Sequence, residues 1–224
     1  MARKNIVVLP SVLSFPFGNI DGELAKMTKA GVKILHYDVM DGHFVPNISF
    51  GESLFTQIVK PGFQADVHLM VTNPLPHALA FFRLGAEQVT VHYEAIKTGA
   101  MDFLDAIGHC RRGKVLGLAF NPETEPEEIE KLVPYFDKVM VMTVHPGASG
   151  GKFIADGIER IKKTKEMLER TNPAAILEVD GGMNEVTGPL AVQAGADYLV
   201  SGSYLCKAVD PVLAIANLTG NRQA

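Results

Sequence analysis

The stretch Ile34-Leu35-His36-Tyr37-Asp38-Val39-Met40-Asp41-Gly42 decides the fold. It is a β-branched, apolar run that turns polar at its end and stops on a glycine, so it reads as a strand entering a loop. Side chains alternate across a strand, which puts His36, Asp38 and Met40 on one face. In a closed barrel, one face of such a strand meets the helices and the other meets the axis. Working outward, the same unit recurs: a short apolar run, a polar or glycine loop, then a segment of helical periodicity. Strands are expected at Ile6–Leu9, Ile34–Val39, Ala65–Leu69, Gln88–His92, Val115–Phe120, Lys138–Val144, Ile176–Asp180 and Tyr198–Ser201. Helices are expected between them at Asp21–Lys29, Glu52–Lys60, Pro76–Leu84, Met101–Arg111, Pro126–Phe136, Ile154–Arg170, Asn184–Ala194 and Pro211–Leu218. Gly31, Gly85, Gly113 and Gly195 sit where helices should end.

Eight strand-then-helix units in 224 residues predict one α/β domain over residues 1–224, a single (β/α)8 TIM barrel with parallel strands. A doubly wound open sheet would carry a G-x-G-x-x-G turn after the first strand, and Pro10-Ser11-Val12-Leu13-Ser14 stands there instead. At 47% hydrophobic residues the chain is neither disordered nor fibrous. Its 21 basic and 25 acidic side chains give a net charge of −4, which speaks against nucleic acid as a partner. The longest apolar runs, such as Lys138–Val144 and Ala175–Val179, are strand-sized, so no membrane partner is expected. Pro10 follows the N-terminus too closely for a signal-peptide apolar region, and two distant cysteines, Cys110 and Cys206, form no disulfide framework. A reducing cytoplasm is the expected location.

Chemistry in such a barrel belongs at the C-terminal strand ends. His36 and Asp38 are there on the second strand, Asp66, His68 and Met70 share a face on the third, and Asp180 stands at the rim of the seventh. Two imidazoles and two carboxylates converging on one mouth suit a single borderline divalent ion, zinc first, then iron, manganese or cobalt. Asp66 lies deeper and reads as structural. His43, His92 and His145 read as loop or supporting residues, and His77 and His109 as exposed on helices. The loops after strands six, seven and eight carry Gly147-Ala148-Ser149-Gly150, Gly181-Gly182 and Gly202-Ser203. Glycine lets backbone N–H groups approach an anion, so these loops predict a phosphate site. Met40, Met70 and Met142 also fall near strand ends and read, from spacing alone, as core filling. The charged run Glu159–Arg170 reads as a solvated helical face.

The blocks Pro10–Ser14, His36-Tyr37-Asp38-Val39-Met40-Asp41-Gly42-His43-Phe44-Val45-Pro46-Asn47, Asp66-Val67-His68-Leu69-Met70, Met142-Thr143-Val144 and Glu178-Val179-Asp180-Gly181-Gly182 together resemble the ribulose-phosphate 3-epimerase family. The resemblance runs over nearly the whole chain. It implies a small-molecule sugar phosphate as substrate and interconversion of D-ribulose 5-phosphate and D-xylulose 5-phosphate through a metal-stabilised enediolate. It implies that His36, Asp38, His68 and Asp180 bind the metal, and that Asp38 and Asp180 are the two acid/base groups. Ser11 and His68 would touch substrate, and the three methionines would line the pocket. Gly147 to Gly150, Gly181, Gly182, Gly202 and Ser203 would line the phosphate end. A homo-oligomer, dimer or hexamer, is implied too. One block departs: where the family has Pro-Gly-Phe-Gly-Gly-Gln, this chain has Pro146-Gly147-Ala148-Ser149-Gly150-Gly151. A six-carbon substrate, D-allulose 6-phosphate, therefore stays open. So does a phosphosugar lyase or aldolase on the same barrel. Such an enzyme generally needs an inward lysine, whereas Lys33, Lys60, Lys114, Lys138 and Lys152 all fall at element edges. A barrel that only binds a sugar phosphate is the third reading.

Overall fold

The structure, a computed structural model, describes residues 6–108, 110–111, 113–147 and 150–221. Eight parallel strands form its centre: β1 (Val7–Pro10), β2 (Ile34–Met40), β3 (Gln64–Met70), β4 (Gln88–His92), β5 (Val115–Phe120), β6 (Lys138–Met142), β7 (Ile176–Asp180) and β8 (Tyr198–Ser201). Each pairs with its sequence neighbour from β2 round to β8, and β8 pairs with β1. The remaining seam, between β1 and β2, is joined by one parallel bridge from Ser11 to His36. The chain is thus a single, nearly closed (β/α)8 barrel, as the recurring unit predicts.

Helices pack outside: α1 (Ile20–Lys29), α2 (Glu52–Ile58), α3 (Pro74–Arg83), α4 (Tyr93–Ile96), α5 (Ala100–Gly108), α6 (Pro126–Ile129), α7 (Gly157–Thr171), α8 (Thr187–Gln193), α9 (Ser203–Cys206) and α10 (Pro211–Leu218). The outward strand residues, among them Tyr37, Val89, Leu118, Phe120 and Val179, are buried against helix residues such as Phe55, Phe81, Ile161 and Leu168 in one continuous core. Burial of that apolar surface is the main force holding helices to sheet. α10 shows how its start is written locally: the Asp210 side chain accepts from the backbone N–H groups of Val212 and Leu213, and Pro211 follows it.

Three expectations need correction. The helix expected over Pro126–Phe136 is instead the short α6 followed by a 3₁₀ turn at Val133–Tyr135, because Pro134 lacks the N–H that would continue an α-helix. The strand expected to reach Val144 ends at Met142, where Thr143 bonds across to the end of β7. The run Glu159–Arg170 is not wholly solvated. Arg160 is buried beside the Phe120 ring, and its guanidinium donates to the carbonyls of Asn121 and Thr124. The short helices α4 and α9, straight after β4 and β8, lie outside the helices expected from periodicity.

Candidate active site

Parallel pairing in register sets His36 beside Asp66 and Asp38 beside His68, so the inward faces of β2 and β3 interleave imidazole and carboxylate. β7 brings Asp180 to the same end of the barrel, level with Met142 of β6. His36 Nε2 is 3.3 Å from Asp38 Oδ1 and 3.9 Å from Asp180 Oδ2. His68 Nδ1 is 3.3 Å from Asp38 Oδ1 and 3.5 Å from Asp180 Oδ2. All four donor atoms lie within 4.8 Å of one another. Donors 2.0–2.2 Å from a tetrahedral ion would stand about 3.4 Å apart, close to the observed spacing.

The ring nitrogens give an independent test of fit. His36 uses Nδ1 on Asp66 Oδ2 at 2.7 Å, and His68 uses Nε2 on His92 Nε2 at 2.8 Å. That leaves His36 Nε2 and His68 Nδ1 buried without a hydrogen-bond partner, both facing the two aspartates. Two orphaned imidazole nitrogens and two carboxylate oxygens around one point form a donor set for a divalent cation. The electrostatics agree. Burial disfavours charge on His36 and His68, yet neighbouring carboxylates raise both pKa values, Asp38 and Asp66 doing so for His36 and Asp180 and Asp38 for His68. The cluster therefore favours positive charge at this point. Burial pushes the Asp38 carboxyl up, and the His36 and His68 rings beside it more than offset that, holding it well below the usual carboxylate range.

Each aspartate is held from behind. Ser11 Oγ donates to Asp38 Oδ2 at 2.6 Å, and Ser49 Oγ donates to the Asp38 carbonyl at 2.6 Å while accepting from Met40 N. Thr143 fixes the end of β7 by donating N–H to the Asp180 carbonyl and Oγ–H to that of Gly181. His92, whose pKa burial lowers to about 4, continues the chain from His68 to Glu94, which also accepts from Asn121 N and Thr124 Oγ1.

Above the cluster opens a cavity of about 230 Å³. Asp38, Asp180, Ser11 and the three methionines Met40, Met70 and Met142 line it, and Gly147, Gly150, Gly181, Gly182, Gly202 and Ser203 line its β6 to β8 side. His36 and His68 lie below, with no exposed surface. Gly181 has a φ of +117°, and a Cβ there would stand 2.6 Å from Val144 Cγ2 and 2.8 Å from Val144 N, so only glycine fits. Asn47 Nδ2 donates to the Gly147 carbonyl at 2.5 Å, tying the loop after β2 to the loop after β6. Ala148, Ser149 and His109 lie outside the described residues.

Periodicity places the other histidines only roughly. His92 is fully buried, His43 and His145 are exposed, and half-buried His77 sits 2.9 Å from Glu52. Lys138 overturns its expected edge position. It is the first residue of β6, yet its side chain is fully buried inside the barrel against Asp66 and Glu178. Glu178, two residues before Asp180, falls on the same inward face by the same period-two argument. Burial and the nearby Asp66 raise its pKa to about 7.

The sequence model of the ribulose-phosphate 3-epimerase family matches residues 7–206. A Bacillus subtilis protein named ribulose-phosphate 3-epimerase is 37% identical over 97% of this chain and 100% of its own length. Proteins of the same name from Chlamydia muridarum and Aquifex aeolicus are 35% and 38% identical, covering 92% and 91% of this chain and 91% of each relative. Among solved structures, a 3-hexulose-6-phosphate synthase superposes with a TM-score of 0.67 at 17% identity, covering 96% of this chain and 99% of the other, a likeness of fold alone. With family match and curated relatives spanning the strands that carry His36, Asp38, His68 and Asp180, the chain belongs to the ribulose-phosphate 3-epimerase family.

Proposed function

We propose that this chain is a metal-dependent epimerase that inverts C3 of a ketose phosphate, interconverting D-ribulose 5-phosphate and D-xylulose 5-phosphate. The observation that carries the reading is the meeting of Asp38 and Asp180 over the two unpartnered imidazole nitrogens. His36, Asp38, His68 and Asp180 would hold one divalent ion, zinc foremost, which when bound supplies Lewis acidity to the ketone beside C3. The two carboxyls do the proton work. One takes the C3 proton from its face, and the other, already protonated, returns one to the opposite face. Asp38, kept ionised by His36 and by the Ser11 hydroxyl, serves as base on its side. The half-buried Asp180 can exchange its proton with solvent between turnovers. Met40, Met70 and Met142 exclude water around the enediolate. The glycine side of the cavity, with Ser203, would take the phosphate and spend that remote binding on positioning.

D-allulose 6-phosphate remains the second substrate reading, favoured by the altered loop His145–Gly151. A lysine aldolase has less support: among the described residues no lysine lines the cavity, and Lys138 is tied up beneath it. No helix of the described residues is long and apolar enough to cross a membrane. The reading includes one catalytic domain acting as a homo-oligomer in the cytoplasm without nucleic-acid partners. Assaying ribulose 5-phosphate and allulose 6-phosphate side by side, with and without chelator, tests it. Turnover of the pentose phosphate that chelator stops and a divalent ion restores is expected. Full activity in a demonstrably metal-free chain would refute the metal, and no C3 proton exchange on either sugar would refute the epimerase.

A further inference from the structure

Beneath the candidate metal site, toward the N-terminal ends of the strands, lies a second cluster. His36, Asp66 and Glu178 also bring their donor atoms within 4.8 Å, and all three have no exposed surface. A cation already stands against it. Lys138 Nζ is 2.5 Å from Asp66 Oδ1 and 3.2 Å from Gln88 Oε1, and it is in direct contact with Glu178 Oε2. The ammonium donates to Asp66 Oδ1 and Gln88 Oε1, and Glu178 Oε2 stands against it as an ion pair. The barrel is shaped around this side chain. At Gly117, on the neighbouring strand, a Cβ would come within 3.0 Å of Lys138 Cε and 2.4 Å of Thr90 Oγ1. Interiors of such barrels are usually filled by branched apolar residues, so a buried lysine, two buried carboxylates and a glycine facing them are a costly departure. The contacts continue upward without a gap: Lys138 holds one oxygen of Asp66, the other oxygen holds His36 Nδ1 at 2.7 Å, and His36 Nε2 faces Asp38 and Asp180.

We propose that Lys138 is a positioning residue for the metal site, a tethered cation that occupies the lower cluster and, through Asp66, locks the tautomer and ring orientation of His36 so that Nε2 points at the donor set. The inference rests on the metal-site reading above. A ligating histidine takes its orientation and donor strength from the group on its other nitrogen, and loss of such support typically weakens metal binding about 10–100-fold. Lys138 acts one contact further out, by fixing the carboxylate and balancing its charge.

The test compares the wild-type chain with Lys138→Met, a shape-conserving neutral variant, and with Lys138→Met/Glu178→Gln, which removes one buried positive and one buried negative charge together. Cobalt(II) is the probe, its affinity read by competition with a chelator and its site by visible absorption. Circular dichroism reports the fold. The expected result is a folded variant that binds cobalt about 10–100-fold more weakly, with altered absorption, and a kcat that falls while KM stays within about threefold. If the single variant does not fold, the charge-balanced double variant carries the same expectation. Cobalt affinity within twofold of wild type in a folded variant overturns the proposal alone. Failure of both variants to fold also overturns it, since the lysine would then be needed for stability. A wild-type chain that binds no cobalt overturns the metal-site reading, and this inference with it.

Discussion

Replacing Asp38 by asparagine separates charge from shape in the proposed proton transfer. The side chain is nearly buried; Oδ2 accepts from Ser11 Oγ at 2.6 Å, and Oδ1 lies 3.3 Å from both imidazole nitrogens. An amide fills the same volume, and the Ser11 hydroxyl can rotate to accept from its N–H, so the barrel keeps its shape while the charge facing the two imidazoles is lost. What disappears is a proton acceptor. One positioned acid/base group contributes about 10²–10⁴-fold, equivalent to about 3–5 kcal/mol of barrier. Epimerisation by Asp38→Asn should fall by at least that factor at saturating divalent cation, where weakened metal binding no longer contributes. The informative assay is exchange of the C3 proton with deuterium oxide, followed by NMR on each epimer separately. Wild type should exchange both. Asp38→Asn should exchange only the epimer whose proton faces Asp180, and Asp180→Asn only the other. Retention of both exchanges within tenfold of wild type, or loss of the same epimer's exchange in both variants, would remove the two-carboxyl mechanism.

Two further outcomes follow from groups around the site. Glu94 has a carboxyl that burial alone would raise, but bonds from His92, Thr124 and Asn121 bring it down from 4.5 to about 2. As pH falls, the unfolded chain takes up this proton first, so the stabilisation is complete above about 4.5 and is lost toward 2. Glu94→Gln should therefore be less stable than wild type at pH 7, and the gap in urea unfolding should shrink steadily below pH 4.5 and close only toward pH 2; a gap of constant size would contradict the assignment. Gly181→Ala forces a side chain into a φ of +117° and against Val144, at a cost of about 1–3 kcal/mol. It should lower both the melting temperature and kcat/KM, and an unchanged melting temperature would show that the end of β7 is looser than the structure has it.

How much of this was readable in advance depends on which interactions are local. The strands were readable because each is a short apolar run ending in polar or glycine residues, and the pattern repeats eight times. Period two along single strands was enough to put His36 with Asp38 and to send Asp180 to the rim. The same rule puts Lys138 on the face of Met140 and Met142, toward the axis, but it does not supply the Asp66 and Glu178 carboxylates that let an ammonium be buried there, because those stand on other strands. Register then lays it beside Gly117 of β5, whose missing side chain leaves room for it, and Ile176 of β7. Arg160 escaped for a similar reason: in a run of alternating charges, only the contact with the Asn121 and Thr124 carbonyls picks out the buried one.

The sequence by itself determined that eight parallel units close on one another, that imidazoles and carboxylates sit at strand ends, and that glycines surround one mouth. These follow from the side-chain period and from turn chemistry, which act over a few neighbouring residues. Only the tertiary structure decided that His36 Nε2 and His68 Nδ1 are the nitrogens left free, because Asp66 and His92 claim the others from adjacent strands. It also decided that Lys138 stands beneath them. Which nitrogen of a ring is occupied, and which charge answers a buried carboxylate, are set by groups far apart in sequence that meet only when the barrel closes.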